Sequence, residues 1–350
     1  MRFFLPLFAA FALCSNVQSA TALTATSTEE CRADLSAIDF MLGRISAGTP
    51  GGNGANSLSN LLPADKQPVF DDGFCVIRDI RFPMVRAPSL VTEYRVSALR
   101  WQADWAGPTR PMPPNTLVIE LRDSGTGFAS SSDMTDVLDY QSRLLRDIYP
   151  NDFRLELAFD PQADRLEIRQ LAAQNGYSNR FMFSATLNNA DLDGVLNTEW
   201  SNAPPLDKLG MITIDDANLT ATNHGFFEIV APTWVHVVYP RLGPTPEEAV
   251  GAAQDIAKGL IGQIPEKLMS ASDQAELVAM IDAVPHPLGT LDLQLDTANG
   301  IAPSRFVATM LMVKTPSWDS FAGLLDGATI KVDWTPAEWP PAPFSPLITQ

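Results

Sequence analysis

Apolar and polar side chains alternate most regularly from Phe153 to Phe159 and from Leu166 to Leu171, with the turn sequence Asp160-Pro-Gln-Ala-Asp164 between the two runs. A period of two sends successive side chains to opposite faces, so the pattern predicts two antiparallel strands with one face buried. The same pattern continues at Phe181–Leu187 and Met211–Thr220. Phe74–Phe82, Leu90–Trp105 and Thr116–Arg122, rich in Val, Ile, Tyr and Trp, predict further strands. Later stretches at Gly289–Leu295, Arg305–Val313 and Thr329–Trp334 are read the same way. Thr116–Asp123, Phe153–Asp160 and Leu288–Asp296 share an alternating strand that closes on an Asp, which the pattern places at a turn.

Spacings of three and four residues interrupt this strand pattern. Ser27 and Glu30 stand as a capping box before Cys31, Leu35, Ile38 and Leu42, and Gly43 is the expected stop. Met134, Val137, Leu138, Leu144, Leu145 and Ile148 predict a second helix, ended by Pro150. Thr245-Pro-Glu-Glu248 combines an N-cap, a proline at the first helical position and acids in the first turn. Val250, Ala253, Ile256, Ala257, Leu260 and Ile264 follow it as an apolar stripe. Ser272–Val284 and Ser317–Asp326 complete the predicted helices. The expected fold is therefore α+β: a large, curved, mostly antiparallel meander with several amphipathic helices packed on one side.

The first residues change the picture by giving the chain an address. Arg2, the apolar run Phe3–Leu13 and Ala20-Thr-Ala22 form a secretory signal peptide over 1–22, its apolar part about half the ~20 residues a spanning helix needs. No later stretch is long and apolar enough to span a bilayer, so no transmembrane segment is expected after cleavage, and the location is periplasmic or secreted. Residues 23–334 then form a single elongated domain with a sub-boundary near 240–245, and 335–350 a Pro-rich tail. Cys31 and Cys75 remain after cleavage and are expected to form a disulfide across the Gly/Ser/Asn/Pro-rich stretch Gly43–Pro68.

Composition mainly excludes. The formal net charge is −17, one unit more negative without Arg2, and no Lys/Arg run stands out, which disfavours nucleic acid as a partner. His224, His236 and His286 are isolated from cysteines and from one another, so no zinc pattern exists. Gly-x-Ser-x-Gly is absent, and the Pro50–Gly54 stretch lacks the Lys-Ser/Thr ending of a phosphate loop. Adjacent carboxylates such as Asp215-Asp216 would point to opposite faces of a strand. Asn189–Leu196 copies the start of a calcium loop, yet its twelfth position is Trp200, and a strand-end turn is the better reading. The chain reads as non-enzymatic, with no cofactor and no metal.

What remains is bulky apolar side chains, Trp334 among them. Trp101, Trp105, Phe181, Phe183, Phe226, Phe227, Trp234, Trp318 and Phe321 are the candidate lining of an apolar groove for a lipid or other hydrophobic ligand. The alternative is a structural or interaction module that contacts an envelope protein. The strand segments Phe153–Leu171 and Met211–Phe227 resemble the repetitive strands of bacterial periplasmic AsmA-like proteins and of related alphaproteobacterial envelope families. That resemblance implies a long twisted sheet with an apolar inner face and a role in lipid handling or envelope maintenance. A dozen strands would span only about 60 Å at ~4.8 Å spacing. A carrier or accessory role therefore fits better than a bridge between membranes.

Overall fold

The computed structural model describes residues 23–47, 66–87, 90–105, 113–128, 151–175, 179–192, 210–225, 242–312 and 323–337, with a few single positions between them. The leader 1–22, most of the predicted helix Met134–Ile148, and residues Phe226, Trp234 and Phe321 lie outside the described residues, as do 48–61 and 338–350.

One open antiparallel sheet organises the described chain. Its strands are β1 (Leu23–Thr24), β2 (Val69–Asp71), β3 (Phe74–Ala87), β4 (Leu90–Trp105), β5 (Thr116–Phe128), β6 (Asn151–Asp160), β7 (Arg165–Asn175), β8 (Asn179–Asn188), β9 (Thr213–Asn223), β10 (Gly289–Ile301) and β11 (Ala328–Pro336). From β2 to β11 each strand pairs with the next in sequence, a meander throughout, while β1 adds two pairs to the end of β4. Four described helices accompany it: α1 (Thr28–Ala47), α2 (Pro246–Ile261), α3 (Ala271–Asp282) and α4 (Pro303–Met312).

Two sequence expectations need correction. Gly43 does not end α1, which continues to Ala47; an internal glycine costs a helix only about 1 kcal/mol relative to alanine. Arg305–Val313 is not a strand, because 303–312 is helical. Pro303 sits at the start of the helix, Arg305 and Phe306 both donate to the Ala302 carbonyl, and Ala, Met and Leu favour a helix. A short apolar run without alternation is ambiguous between the two states.

Register turns the alternation into a face. Ile77, Leu99, Leu121, Phe153, Ala173, Phe181, Ala221, Leu291 and Trp334 are successive cross-strand partners from β3 to β11. Directly paired residues point to the same side, so these nine form one apolar line across the sheet. Two residues along each strand runs a second line, through Trp101, Ile119, Leu155, Leu171, Phe183, Leu219, Leu293 and Val332.

The opposite face carries charge. Glu120, with 2% of its side chain exposed, accepts from Arg100 at 3.0 Å and from Arg154, and Arg154 also reaches Glu156 at 2.8 Å. A carboxylate so buried is tolerable only because guanidinium groups neutralise it and fill its lone pairs.

Helices cover the apolar face at both ends of the sheet. At the β1–β5 end, Cys31, Leu35, Ile38 and Met41 of α1 pack with Ile77, Leu99, Trp101, Trp105 and Leu117. Cys31 is disulfide-bonded to Cys75 of β3, with Cα atoms 5.4 Å apart. Asp34, wholly buried, accepts from the Trp105 indole N–H at 2.9 Å. At the other end Ile264, Leu268 and Met269 pack with Ala328 and Val332, joined by Leu277, Leu293 and Ile330.

The free edge of β11 is occupied by this second assembly. The Ile330 N–H donates to the Leu268 carbonyl at 2.7 Å and the Val332 N–H to Asp273 Oδ1 at 2.8 Å. Alternate outward N–H groups are thereby satisfied, which blunts an edge that would otherwise invite another strand.

Of the three Asp-ended segments only Asp160 sits at a turn. Asp296 lies inside β10 and Asp123 inside β5, the latter with φ +44°; Asp79, within β3, has φ +55° likewise. Aspartate tolerates this left-handed conformation better than most residues. In β3 and β5 the alternation slips by one position, so Ile77 and Ile80, three apart, are both buried at 1% exposure. Ser97 Oγ donates to Asp123 Oδ2 at 2.6 Å across the kink.

Candidate functional site

Between the two helix-covered ends the apolar face opens into a groove of about 940 Å³. Its floor is the transverse line itself: Leu121, Phe153, Ala173, Phe181, Ala221, Leu291 and Trp334 all line it. Large and small side chains alternate there, so Ala173 lies between Phe153 and Phe181, and Ala221 between Phe181 and Leu291. Two alanine troughs result. Phe181 is 40% exposed, unusual for a phenylalanine in mid-sheet and explained by the open space above it.

The roof comes from α2 and the end of α3. Val250, Ala253, Gln254 and Ala257 stand at helical spacings of three, one and three, hence on one face of α2. Met280, Ile281, Val284, Pro285 and Pro287 continue the wall. α2 is fixed to α3 by polar contacts: Gln254 Nε2 donates to the carbonyls of Ile281 and Val284 at 3.0 and 2.9 Å, and Lys258 pairs with Asp282 at 2.9 Å. Two alanines on its inner face keep α2 from filling the space below. Ile256 and Leu260, expected on the buried stripe, are each 53% exposed.

The groove changes character at one end. On the same face, two residues beyond the floor line, come Asn151, Asn175, Asn179 and Asn223, and all four line the groove. Beside them Tyr94 donates to Ser124 Oγ at 2.9 Å, Ser124 Oγ to the Asn151 carbonyl at 3.1 Å, and Asn151 Nδ2 to the Ser124 carbonyl at 2.9 Å. Asn179 Oδ1 accepts from the His224 N–H at 2.7 Å; Asn223 donates to the Pro287 carbonyl at 3.0 Å and accepts from the Phe227 N–H at 2.8 Å. At the same end Gly289 begins β10 with φ +150°, and a Cβ there would stand 2.9 Å from the Trp334 ring, so a side chain would collide with the floor.

Asp152 and Arg180 are the charged members of the described lining. The Arg180 guanidinium donates twice to Gln174 Oε1, at 3.2 and 2.8 Å, and burial lowers its pKa. Asp152 Oδ1 accepts from the Asp123 N–H at 3.0 Å. Burial is the largest influence on Asp152 and raises its pKa, against the lowering effect of that hydrogen bond. The folded chain thus holds this proton more tightly than the unfolded one. The associated penalty is absent below the ordinary aspartate pKa near ~3.9 and grows as pH rises through the raised folded value. Asp152→Asn, which keeps an acceptor for Asp123, is expected to raise the urea midpoint at pH 7 and to leave it unchanged near pH 3. An Asn variant that is equally or less stable at pH 7 would contradict this.

No protein-family model and no curated protein matches this chain. Geometry therefore carries the functional reading.

Of the nine side chains expected in a groove, Phe181 and Phe227 line it. Phe183 lies on the same face two residues further along β8 and outside the lining. Trp101 and Trp105, at 1% and 0% exposure, fill the closed core beneath α1. Trp318 packs on the second core, its indole N–H donating to the Leu260 carbonyl at 3.2 Å. Phe226, Trp234 and Phe321 lie outside the described residues. Sequence reading missed Leu121, Phe153 and Leu291, all visible as apolar positions in alternating strands. What placed them together is cross-strand register, which bulk alone does not reveal.

At the calcium-like segment β8 ends at Asn188, Asn189 takes φ +55°, and Asp191 Oδ1 accepts from the Gly194 N–H at 2.7 Å. The strand-end turn at Asn189 leads into the helical residues Leu192 and Gly194, with Asp191 in the N-cap position.

Proposed function

We propose that this protein is a non-enzymatic binding protein that holds a lipid or another hydrophobic ligand in the groove beneath α2, and that it does so in the periplasm in support of the cell envelope. The observation that carries the reading is the groove itself, about 940 Å³ with a floor of seven apolar side chains in one cross-strand line. Ligand sites are commonly concave and mostly apolar, with a few placed polar groups, and fall in the size range of this groove. The disulfide between Cys31 and Cys75 fits an oxidising compartment, and no described helix is long and apolar enough to cross a membrane. An apolar inner face on a long twisted sheet is what the resemblance to AsmA-like proteins implies, and this reading uses the same feature.

Native mass spectrometry of the mature chain purified from its own periplasm tests the proposal. A stoichiometric apolar adduct, identified after organic extraction, is the expected result. A bare mass that also stays unchanged after incubation with envelope lipids would overturn it in favour of an interaction module.

A further inference from the structure

The polar end of the groove bears on what kind of ligand it takes, an inference that rests on the binding role above. Four strands in succession, β6 to β9, place an asparagine on the same face two residues beyond the floor: Asn151, Asn175, Asn179 and Asn223. Asn151 pairs with Asn175 and Asn175 with Asn179 in the sheet register. Each stands at an end of its strand, where asparagine is a common turn residue; what bears on a ligand is that the register brings all four to one face beside the apolar floor.

Primary amides offer donors and acceptors without charge; Asn151, Asn179 and Asn223 use part of theirs on Ser124, His224, Pro287 and Phe227, and Asn175 is the exposed member of the row. The ionic groups of the described lining, Asp152 and Arg180, are one of each sign. A ligand bearing a net charge would bring an unbalanced ion into a half-dry site, a costly arrangement. An anionic head would in addition meet the field of a chain whose formal net charge is −17. We propose that the groove takes a single-chain amphiphile with an uncharged, hydrogen-bonding head group, its chain along the alanine troughs and its head against the asparagine row.

Competition against N-phenyl-1-naphthylamine, an uncharged apolar fluorophore, tests this on the full mature chain. The competitors share one chain length and differ at the head: a 1-monoacylglycerol, the fatty acid, an alkyltrimethylammonium salt and the n-alkane. The monoacylglycerol is expected to displace the fluorophore at about tenfold lower concentration than the other three, the worth of one well-made hydrogen bond in a desolvated site. Asn175 is exposed at the end of β7. Asn175→Leu is therefore expected to fold and to lose most of that preference, its own fluorophore titration setting the reference for the competition. If the fluorophore does not bind, the binding role fails and this inference falls with it. If it binds but the fatty acid or the cation competes as well as the monoacylglycerol, the groove stands and the head-group assignment is overturned. An Asn175→Leu protein that retains the full preference overturns the assignment to this row.

Discussion

Replacing Ala173 by tryptophan is expected to weaken binding of an apolar ligand about a hundredfold while leaving the fold intact. Ala173 sits in the middle of the floor, in register with Phe153 on one side and Phe181 on the other, and its side chain faces the open groove. An indole there fills the trough that a ligand chain would occupy. Excluding three or four methylenes from contact, at about 0.8 kcal/mol each, removes about 3 kcal/mol, or roughly a hundredfold in Kd. Tryptophan is a good strand residue and Ala173 is exposed, so no core atom has to move. The check pairs fluorophore titration with a thermal melt. Unchanged affinity in a protein with an unchanged melt would mean the ligand does not use this floor.

Removing the disulfide in a Cys31→Ala, Cys75→Ala protein is expected to cost about 4 kcal/mol, from closure of a loop with a sequence separation of 44. Both sulfurs lie inside the α1 core, at 0% and 1% exposure, so the loss falls on the packing that buries Trp101 and Trp105. Two readouts follow. The urea midpoint drops relative to the oxidised parent, and loosening of α1 shifts tryptophan emission to the red before global unfolding. Equal midpoints for the oxidised parent and the double variant would show that α1 is held by packing alone.

Much of the fold was legible because it is locally encoded. The hairpin Phe153–Leu171 appears as β6 and β7 because its alternation has one period and its turn sequence, Asp160 to Asp164, is rich in turn formers. The start of α2 was readable from Thr245 and Pro246, and Thr245 Oγ1 does accept from the Glu248 N–H, at 3.3 Å. Failures came where one pattern serves two structures. Phe306 to Met312 is an apolar run without a period, and Pro303 decided for helix. Asp123 looked like a turn residue and is a left-handed kink within a strand, held by Ser97 and by its own N–H to Asp152.

The site was less legible than the fold. Bulk pointed to Trp101 and Trp105, which the α1 core consumes; size says that a residue must be covered and not by what. The floor depends on which alanine lies beside which phenylalanine, and those residues are far apart in the chain, Ala221 being seventy positions from Leu291 in register with it.

Sequence alone determined the strand periodicity, the capped helices, the cysteine pair and the acidic charge, since each is a property of neighbouring residues or of their sum. Tertiary structure decided the rest. Register across the sheet aligned seven apolar side chains into one floor and four asparagines into the row beside it. The α2–α3 pair, tied by Gln254 and Lys258, then stood off from that floor because alanines, not larger residues, face it. Those are relations between distant segments, and only packing sets them.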